Sequence, residues 1–269
     1  MGIHARPLSQ SFGVEITDFD VNNITNEVKQ AIKLLFDNHQ LVLIRNAGIT
    51  EAQHLELVEA VGPISSADQI MKDGRKFTYI SNVHTDGRVG NGELYFHSDH
   101  MFLDTPLKGI SLYSIEAPEH GGETRYWNAA KAYLDMPEDL KKRVQGMSAH
   151  HVYDYDGGRG DQRPDPTKLG DNVDSSVYPL IWIHPVSGIP LLYISRLFTT
   201  EVIGLSREDS DKLLDDLFAY QDSISEEYAH KWAPGDLIIW DNLHLQHARN
   251  DFPPNERRAL RRVPIALAA

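Results

Sequence analysis

Most of the apolar residues of this 269-residue chain occur in short runs that turn-forming residues separate. The runs include FTYIS, LYFHS, GISLYSIEA, TRYW, PLIWIHP, LLYIS, DLIIW and RRVPIAL. Many short strands divided by turns are typical of a β-sandwich or barrel with helices packed outside it. No apolar run approaches the ~18 residues that a membrane-spanning helix needs. The sequence therefore predicts a mostly β globular protein with flanking helices.

Apolar residues at helical spacing, and N-cap residues ahead of them, predict four helices. They cover residues 25–38, a segment from the capping pair Thr50 and Gln53 to Val61, residues 138–145, and a segment from Ser206 to Phe218. Two strands are predicted near the start of the chain. Residues 13–21 alternate apolar and polar, as in a half-buried strand, and residues 41–45 are mostly apolar, as in a buried one.

The composition excludes several kinds of chemistry and of partner. The chain has no cysteine, so it has no disulfides, thiolate metal sites or cysteine nucleophile, and metal binding is left to Asp, Glu and the 13 His. A formal charge of −13 repels nucleic-acid phosphates and anionic membranes, and we expect neither as a partner. The first 20 residues show no basic flank followed by an apolar stretch, so we expect a cytoplasmic protein.

One segment, residues 153–176, is polar, rich in Gly, Asp and Pro, and long for a connection within a compact domain. Loops of this kind are typically lids, binding loops or disordered stretches. A lid over a binding site and a mobile surface loop stay open as alternatives. Strand-like sequence continues in the same style on both sides of the segment, so we predict a single domain over residues 1–269.

Two His-x-Asp tripeptides occur, at residues 84–86 and 97–99, and about one is expected by chance at this composition. The first runs into the turn-forming Gly-Arg-Val-Gly, whereas apolar residues flank the second. Side chains two residues apart on a strand point to the same face, so His97 and Asp99 can present an imidazole and a carboxylate to one metal ion. A buried His paired with a neighbouring Asp, or a solvated strand edge, would give the same pattern.

The candidates for a third ligand are His244 and His247, in the stretch WDNLHLQHARNDF. Two His and one carboxylate commonly hold an oxygen-activating iron and leave three coordination positions open. The same residue types can hold a tetrahedral zinc with one open position for water. The ligand types alone do not choose between the two metals.

Five arginines lie close together in a chain that is otherwise acidic: Arg249, Arg257, Arg258, Arg261 and Arg262. The planar guanidinium pairs bidentately with carboxylates, which suits it to hold a dianionic acid. If RALRRVPIAL is a strand, Arg258 and Arg262 share one face, while Arg257 and Arg261 share the other. One face would then point into a site and the other to solvent. Alternatively, all five lie at the surface and pair with the excess Asp and Glu.

Three ordered stretches carry a resemblance to a known family. They are FHSDHMFLDTPLKGISLYSIEAPEHGGETRYWNAAKAY, PLIWIHPVSGIPLLYISRLFTTEVIGLS and WAPGDLIIWDNLHLQHARNDFPPNERRALRR. From about residue 13 to residue 264 the chain resembles the taurine dioxygenase and 2,4-dichlorophenoxyacetate dioxygenase family of iron(II)- and 2-oxoglutarate-dependent oxygenases. The resemblance implies a double-stranded β-helix, also called a jelly roll or cupin-like fold, with helices outside.

The resemblance also implies which residues form the site. His97, Asp99 and His247 match the iron ligands of the family, and His244 falls where the family has no ligand. Thr124 matches a residue that hydrogen-bonds the distal carboxylate of 2-oxoglutarate.

Two arginines match family positions as well. Arg258 matches the Arg that clamps the same carboxylate. Arg262 matches an Arg that faces either the acidic group of the primary substrate or the proximal end of 2-oxoglutarate.

Four residues near the proposed ligands are candidates for the walls of a substrate pocket. Tyr95, His100, Met101 and Phe102 follow or precede the proposed ligands closely, and each is either a pocket wall, a core residue or a surface residue.

The activity implied by the resemblance is oxidation of a C–H bond, most often hydroxylation, coupled to the conversion of 2-oxoglutarate and O2 to succinate and CO2. We expect the substrate to be a small organic acid or an amino-acid-derived metabolite, and relatives often form homodimers or tetramers. Related halogenases have a small residue where this chain has Asp99, which argues against halogenation.

Two departures from the family pattern make taurine a doubtful substrate. Residues 62–71 lack the His that grips a sulfonate, and Leu243 stands where an Arg is common. Two alternative functions remain open. One is a catalytically silent jelly-roll protein that binds a small acid or a metal as a sensor or store, and the other is a zinc hydrolase on the same scaffold.

Overall fold

A computed structural model describes residues 3–66, 74–155, 164–224 and 226–267. The strands are β1 (Ala5–Pro7), β2 (Val14–Ile16), β3 (Leu41–Ile44), β4 (Thr78–Ser81), β5 (Leu94–His97), β6 (Leu107–Glu116), β7 (Thr124–Asn128), β8 (Ser148–Asp154), β9 (Val173–Pro179), β10 (Ile181–Ile183), β11 (Pro190–Leu192), β12 (Thr199–Val202), β13 (Tyr228–His230), β14 (Leu237–Asp241), β15 (Leu245–Arg249) and β16 (Ala259–Ala266). The helices are α1 (Asn26–His39), α2 (Glu51–Val61), α3 (Ala129–Asp135), α4 (Glu138–Val144) and α5 (Arg207–Asp222).

Two sheets enclose one of the hydrophobic cores. The larger has the strand order β1-β2-β3-β14-β6-β16-β4, and the smaller has the order β13-β7-β15-β5. Leu43, Ile110 and Ile238 of the larger sheet share a buried cluster with Tyr126 and Leu245 of the smaller one. Side chains of two facing sheets that interdigitate in this way form the core of a sandwich. The predicted mostly β architecture with a jelly-roll core is thus confirmed.

Helices cover both sides of the sandwich. Ile32 and Phe36 of α1 and Val58 of α2 pack against the outer face of the larger sheet, where Val42 and Val263 lie. The helices α3, α4 and α5 share another cluster with the smaller sheets β12-β8-β9 and β10-β11. Among the residues that the structure describes, no helix is both long and apolar enough to cross a membrane.

The helix starts follow local sequence signals. Thr25 and Ser206 cap α1 and α5 by accepting hydrogen bonds from the backbone N–H groups three residues on. At α2 the Thr50 hydroxyl and the Gln53 side chain form the predicted capping box. These caps satisfy N–H groups that have no partner within a helix, which is why short-range patterns locate them.

Two elements differ from the prediction. The strand predicted over residues 13–21 ends at Ile16, because the Asp18 carboxylate accepts the His4 N–H and the Asp20 carboxylate accepts the Asn22 N–H. Side-chain hydrogen bonds of this kind compete with strand pairing. Helix α3 was not expected, and Asn128 caps it by accepting two backbone N–H groups.

The arginines of the β16 segment alternate as predicted, but one face does not point to solvent. Arg258 and Arg262 line a cavity between the sheets, and the exposed Arg257 pairs with Glu116. Arg261 is buried on the opposite face, where its Nε donates to His54 Nδ1 at 3.0 Å. The prediction of a solvent-facing Arg261 is wrong, because α2 packs over that face of the sheet.

A glycine turn ahead of β7 gives a test of the packing. Gly121 has φ +71°, and a Cβ there would lie 2.3 Å from the Asp251 carbonyl oxygen, whereas Gly146 has φ +72° and open space around it. Gly146→Ala should lower the free energy of unfolding by about 1–2 kcal/mol through backbone strain alone. Gly121→Ala should cost about 1–3 kcal/mol more because of the clash. Urea unfolding of both variants measures the difference, and equal losses would contradict the close approach.

Candidate metal centre and its pocket

Strand pairing brings two histidines together. His97 is the last residue of β5, His247 lies in the middle of β15, and the two residues are directly opposite in the antiparallel register. Directly opposed residues of neighbouring strands project to the same face. The two imidazole rings are accordingly 4.3 Å apart between centroids.

Asp99 completes the cluster from a turn rather than from a strand. Its Oδ1 is 3.2 Å from His97 Nε2 and 3.6 Å from His247 Nε2. The prediction that His97 and Asp99 share a strand face is wrong in detail, because β5 ends at His97 and the chain then turns through His100 with φ +61°. The predicted convergence of the three side chains is nevertheless found.

The hydrogen bond at Nδ1 of His97 decides which ring nitrogen faces Asp99 with a lone pair. Nδ1 lies 2.7 Å from the Tyr95 carbonyl oxygen, which can only accept, so Nδ1 carries a proton. In the neutral ring the lone pair is then on Nε2, which faces the Asp99 carboxylate. A lone pair facing an anion at 3.2 Å is repulsive unless a proton or a metal ion lies between them. Ligands bonded to one ion at about 2.1 Å in neighbouring positions lie about 3 Å apart, so these atoms suit one ion.

Arg262 binds Oδ2 of the Asp99 carboxylate. Its Nε and Nη2 donate to Oδ2 at 3.1 and 2.8 Å, which leaves Oδ1 facing the imidazoles. Burial favours the neutral form of Asp99, but Arg262 and then the two imidazoles outweigh burial and hold its pKa well below the usual value. The carboxyl group is therefore ionised, as a metal ligand must be.

His247 is also in the protonation state that a metal requires. Burial, and then the neighbouring His97, lower the pKa of His247 to about 3. The ring is neutral at physiological pH and can offer a nitrogen lone pair. His247 thus offers a neutral imidazole and Asp99 an ionised carboxylate, and His97 presents Nε2 on the same side of a common point.

A second cluster of the same residue types, formed by His184, Asp241 and His244, does not suit a metal. His184 Nδ1 accepts the backbone N–H groups of Val186 and Ser187 at 3.2 and 3.0 Å. Its proton must therefore be on Nε2, the atom that faces Asp241 at 3.4 Å. A protonated nitrogen cannot bind a metal, so this cluster is an ionic and hydrogen-bonded support of the chain. His244 lies within it, and the resemblance likewise implies no metal ligand at this position.

The first cluster lies in the wall of a cavity of about 550 Å³ between the two sheets. Thr124, Trp240 and Arg258 also line the cavity, and so does a group of aromatic rings from other elements. In that group Phe102 lies 4.8 Å from Tyr153 and 5.0 Å from Phe198 between ring centroids. Part of the lining is therefore polar and cationic, and part is apolar.

Arg258 has unsatisfied hydrogen-bonding capacity inside the protein. It is only 2% exposed, and its Nε has no hydrogen-bond partner among the described residues. Burial, and then the nearby Arg249, lower the pKa of Arg258, which means that its charge is disfavoured without an anion. Trp240 Nε1 is likewise buried without a partner in the described part of the chain. This part of the cavity therefore suits an anionic ligand.

Thr124 has a defined hydrogen-bond direction. The Trp232 indole N–H donates to Thr124 Oγ1 at 2.9 Å. An indole N–H is a donor only, so the hydroxyl proton of Thr124 is left to donate to another acceptor. Since Thr124 lines the cavity, that acceptor can be a ligand oxygen.

The residues predicted for the pocket walls divide into two groups. His100 and Phe102 line the cavity. Met101 is fully buried in the core cluster that contains the helices α3 to α5. Tyr95 contributes its carbonyl oxygen to His97, and its side chain is not among the lining residues.

The segment 153–176 borders the same cavity. Tyr153, Asp154 and Tyr155 line it on one side of the segment, and Asp165, Lys168 and Leu169 on the other. Residues 156–163 of the predicted lid lie outside the described residues. A lid remains a prediction that these two flanks favour.

Several contributors to the site carried no local sequence signal. Phe198 joins the aromatic wall from the loop ahead of β12, and Arg249 fixes the loop at Val89 and Gly92 through their carbonyl oxygens. The Asn242 side chain bonds to the backbone of Asp99. Each contact joins segments that are distant in the chain, so no spacing rule could have found it.

The chain is similar in sequence to a known family and to several of its characterised members. Residues 4–263 match the family model described as "Taurine catabolism dioxygenase TauD, TfdA family". The chain is 33% identical over 199 residues to pentalenolactone F synthase of Streptomyces arenae, an alignment that covers 68% of this chain and 67% of that protein. It is 27% identical to an alpha-ketoglutarate-dependent sulfate ester dioxygenase of Pseudomonas putida, over 98% of this chain and 89% of the relative.

A solved structure shares the fold. The crystal structure of AAD-2 in complex with Mn(II) and N-oxalylglycine superimposes with a TM-score of 0.81 and covers 100% of this chain and 99% of its own. The sequence identity is 22%, so this likeness supports the fold alone.

We predict that the protein binds one divalent transition-metal ion per chain, at His97, Asp99 and His247. His97→Ala should abolish binding because it removes one of three donors. The matched variant His184→Ala should retain one ion, because the second cluster cannot ligate a metal. Equilibrium dialysis with Mn(II), on variants shown to be folded by circular dichroism, measures the stoichiometry. Two ions per wild-type chain, or loss of the ion in His184→Ala alone, would contradict the assignment.

Proposed function

The chain belongs to the taurine catabolism dioxygenase TauD, TfdA family, and we propose on this basis that it is an iron(II)- and 2-oxoglutarate-dependent oxygenase. Its reaction would oxidise a C–H bond of a small organic acid or amino-acid-derived metabolite, most often by hydroxylation. The observation that carries the proposal is that one cavity contains both a metal-type donor cluster and a buried guanidinium whose Nε has no hydrogen-bond partner among the described residues.

His97, Asp99 and His247 would hold the metal. Two imidazoles and one carboxylate on one face form the donor set that suits non-haem iron(II) and leaves positions open for other ligands. When bound, iron(II) and 2-oxoglutarate supply the oxidation by O2 and the release of succinate and CO2. The contribution of Arg262 is to hold Asp99 Oδ2, so that one carboxylate oxygen is directed to the ion.

Arg258 and Thr124 would bind the distal carboxylate of 2-oxoglutarate. The guanidinium supplies the charge that a buried dianion needs, and the Thr124 hydroxyl, oriented by Trp232, supplies a further donor. Both residues line the same cavity as the proposed ligands. One molecule held at Arg258 by one end could therefore present its other end to the metal.

The primary substrate would lie against the aromatic wall. The Phe198 ring is 5.7 Å from the His97 ring and 5.0 Å from the Phe102 ring, so this wall begins at a proposed ligand. An apolar body would pack there and exclude water from the reacting carbon. We propose that Arg88, which lines the cavity, or Arg262 faces the acidic group of the substrate. The sulfate ester named for one relative is an anion of this kind.

The comparisons give no support to a catalytically silent sensor. The sulfate ester dioxygenase is named for a reaction that depends on alpha-ketoglutarate, which is 2-oxoglutarate, and pentalenolactone F synthase is named as a catalyst. A zinc hydrolase would leave Arg258 without a role. Iron(II) should restore activity to the chelated protein and zinc(II) should not.

We predict that Arg258→Gln raises the KM for 2-oxoglutarate roughly 100-fold, or about 2.8 kcal/mol, because a buried charge-assisted contact is lost. The matched control is Arg257→Gln, which removes the neighbouring guanidinium that pairs with Glu116 at the surface. That variant should change the KM less than about twofold. Initial rates of succinate formation measure both. Equal effects of the two changes would contradict the assigned role of Arg258.

The overall activity is tested by a screen for substrate-stimulated succinate release. Phenoxyacetates, alkyl sulfates, apolar carboxylic acids and amino acids are each added with iron(II), 2-oxoglutarate and O2. At least one class should raise succinate formation above the basal rate and give an oxidised product by mass spectrometry. His97→Ala should give neither.

An anaerobic measurement can overturn the proposal. The protein with iron(II) and 2-oxoglutarate should show a visible charge-transfer band. If a known relative shows the band and this protein does not, the assigned cofactors are wrong. A cytoplasmic location and a homo-oligomeric state stay predictions beside this function.

A further inference from the structure

The side chain of Asn242 bonds to both backbone polar groups of Asp99. Its Oδ1 accepts the Asp99 N–H at 2.8 Å, and its Nδ2 donates to the Asp99 carbonyl oxygen at 2.9 Å. Nδ2 also donates to the Leu107 carbonyl oxygen at 3.1 Å. Asn242 is fully buried, so these bonds do not compete with water. A carboxamide that pairs in this way replaces the backbone of a neighbouring strand.

Asp99 needs such a partner because it lies beyond the sheet. Strand β5 ends at His97, and in the described part of the chain no other backbone group bonds to the Asp99 N–H or carbonyl oxygen. The next residue, His100, has φ +61°, a conformation that non-glycine residues seldom adopt. Without Asn242 the backbone at Asp99 would lose two hydrogen bonds at the point where its carboxylate must be placed.

The turn that carries Asn242 is itself held firmly. Asp241 Oδ1 accepts the backbone N–H groups of Leu243 and His244, both at 2.9 Å, and the Asn242 N–H donates to the Lys108 carbonyl oxygen. The second oxygen of the Asp241 carboxylate faces His184 and His244. These contacts, and the burial of the turn, keep the Asn242 carboxamide in one orientation.

The same turn leads directly into the strand of the other ligand. β15 begins at Leu245 and carries His247 two residues later, opposite His97. One short segment therefore sets both the backbone of Asp99, through Asn242, and the start of the strand that presents His247.

We propose that Asn242 is a positioning residue that fixes Asp99 for metal binding. The inference rests on the proposed function, because it requires Asp99 to be a ligand. Groups that orient metal ligands typically change metal affinity by roughly 10–100-fold when they are removed. Asn242 should contribute in this range, even though it does not touch the metal.

The test compares Mn(II) affinity in the full-length wild type, Asn242→Ala and a control, with free Mn(II) measured by electron paramagnetic resonance. The control is Gln221→Ala, which also removes a buried amide; its Nε2 donates to Gln246 Oε1 at 3.1 Å. Gln246 precedes His247 on β15, so its side chain points to the opposite face of the strand. Asn242→Ala should weaken Mn(II) binding at least roughly 10-fold. Gln221→Ala should lower thermal stability and leave the affinity within about twofold of the wild type.

The affinity of the variants separates a positioning role of Asn242 from a purely structural one. If Asn242→Ala folds but weakens Mn(II) binding by less than about 10-fold, Asn242 is only structural and the inference is overturned. If the wild type itself binds no Mn(II), the proposed function fails instead. Should Asn242→Ala not fold, Asn242→Ser decides by the same criterion, since it removes the carboxamide without adding a charge.

Discussion

The pairing of β5 with β15 is the interaction on which the site depends. It places His247 directly opposite His97 and turns both imidazoles to the same side. β5 is an edge strand of four residues, and β15 lies between it and β7. A shift of one residue in this pairing would turn one histidine to the opposite face. The chain fixes the register by burying β15 on both faces.

Charge organises the rest of the site in a chain of net charge −13. Arg262 and Arg258 extend from one face of the β16 segment into the cavity, but they meet different environments. Arg262 is compensated by Asp99, whereas no described carboxylate pairs with Arg258. A buried guanidinium without an anion is costly, and a bound anion would offset that cost. One residue spacing on a strand thus yields one arginine that pairs with a carboxylate of the protein and one for which we propose a bound anion.

The parts of the structure that sequence could predict are those decided by near neighbours or by whole motifs. Caps at Thr25 and Thr50 follow from hydrogen bonds between residues three apart in the chain, and the proximity of His97, Asp99 and His247 follows from family-like stretches. The contact of Trp232 with Thr124 spans 108 residues and that of Asn242 with Asp99 spans 143. No periodicity encodes such pairs. The solvent-facing position predicted for Arg261 is wrong for the same reason, because the packing of α2 decides what covers that face of the sheet.

The two clusters of His, Asp and His show why residue types alone do not define a metal site. In each, imidazole nitrogens approach a carboxylate oxygen within 3.6 Å. The two clusters differ in what contacts the Nδ1 atom of one histidine. At His97 a carbonyl oxygen contacts Nδ1, so Nδ1 carries the proton. At His184 two backbone N–H groups donate to Nδ1, so Nδ1 carries no proton. The backbone around each ring therefore sets the tautomer, and the tautomer decides which cluster can bind a cation.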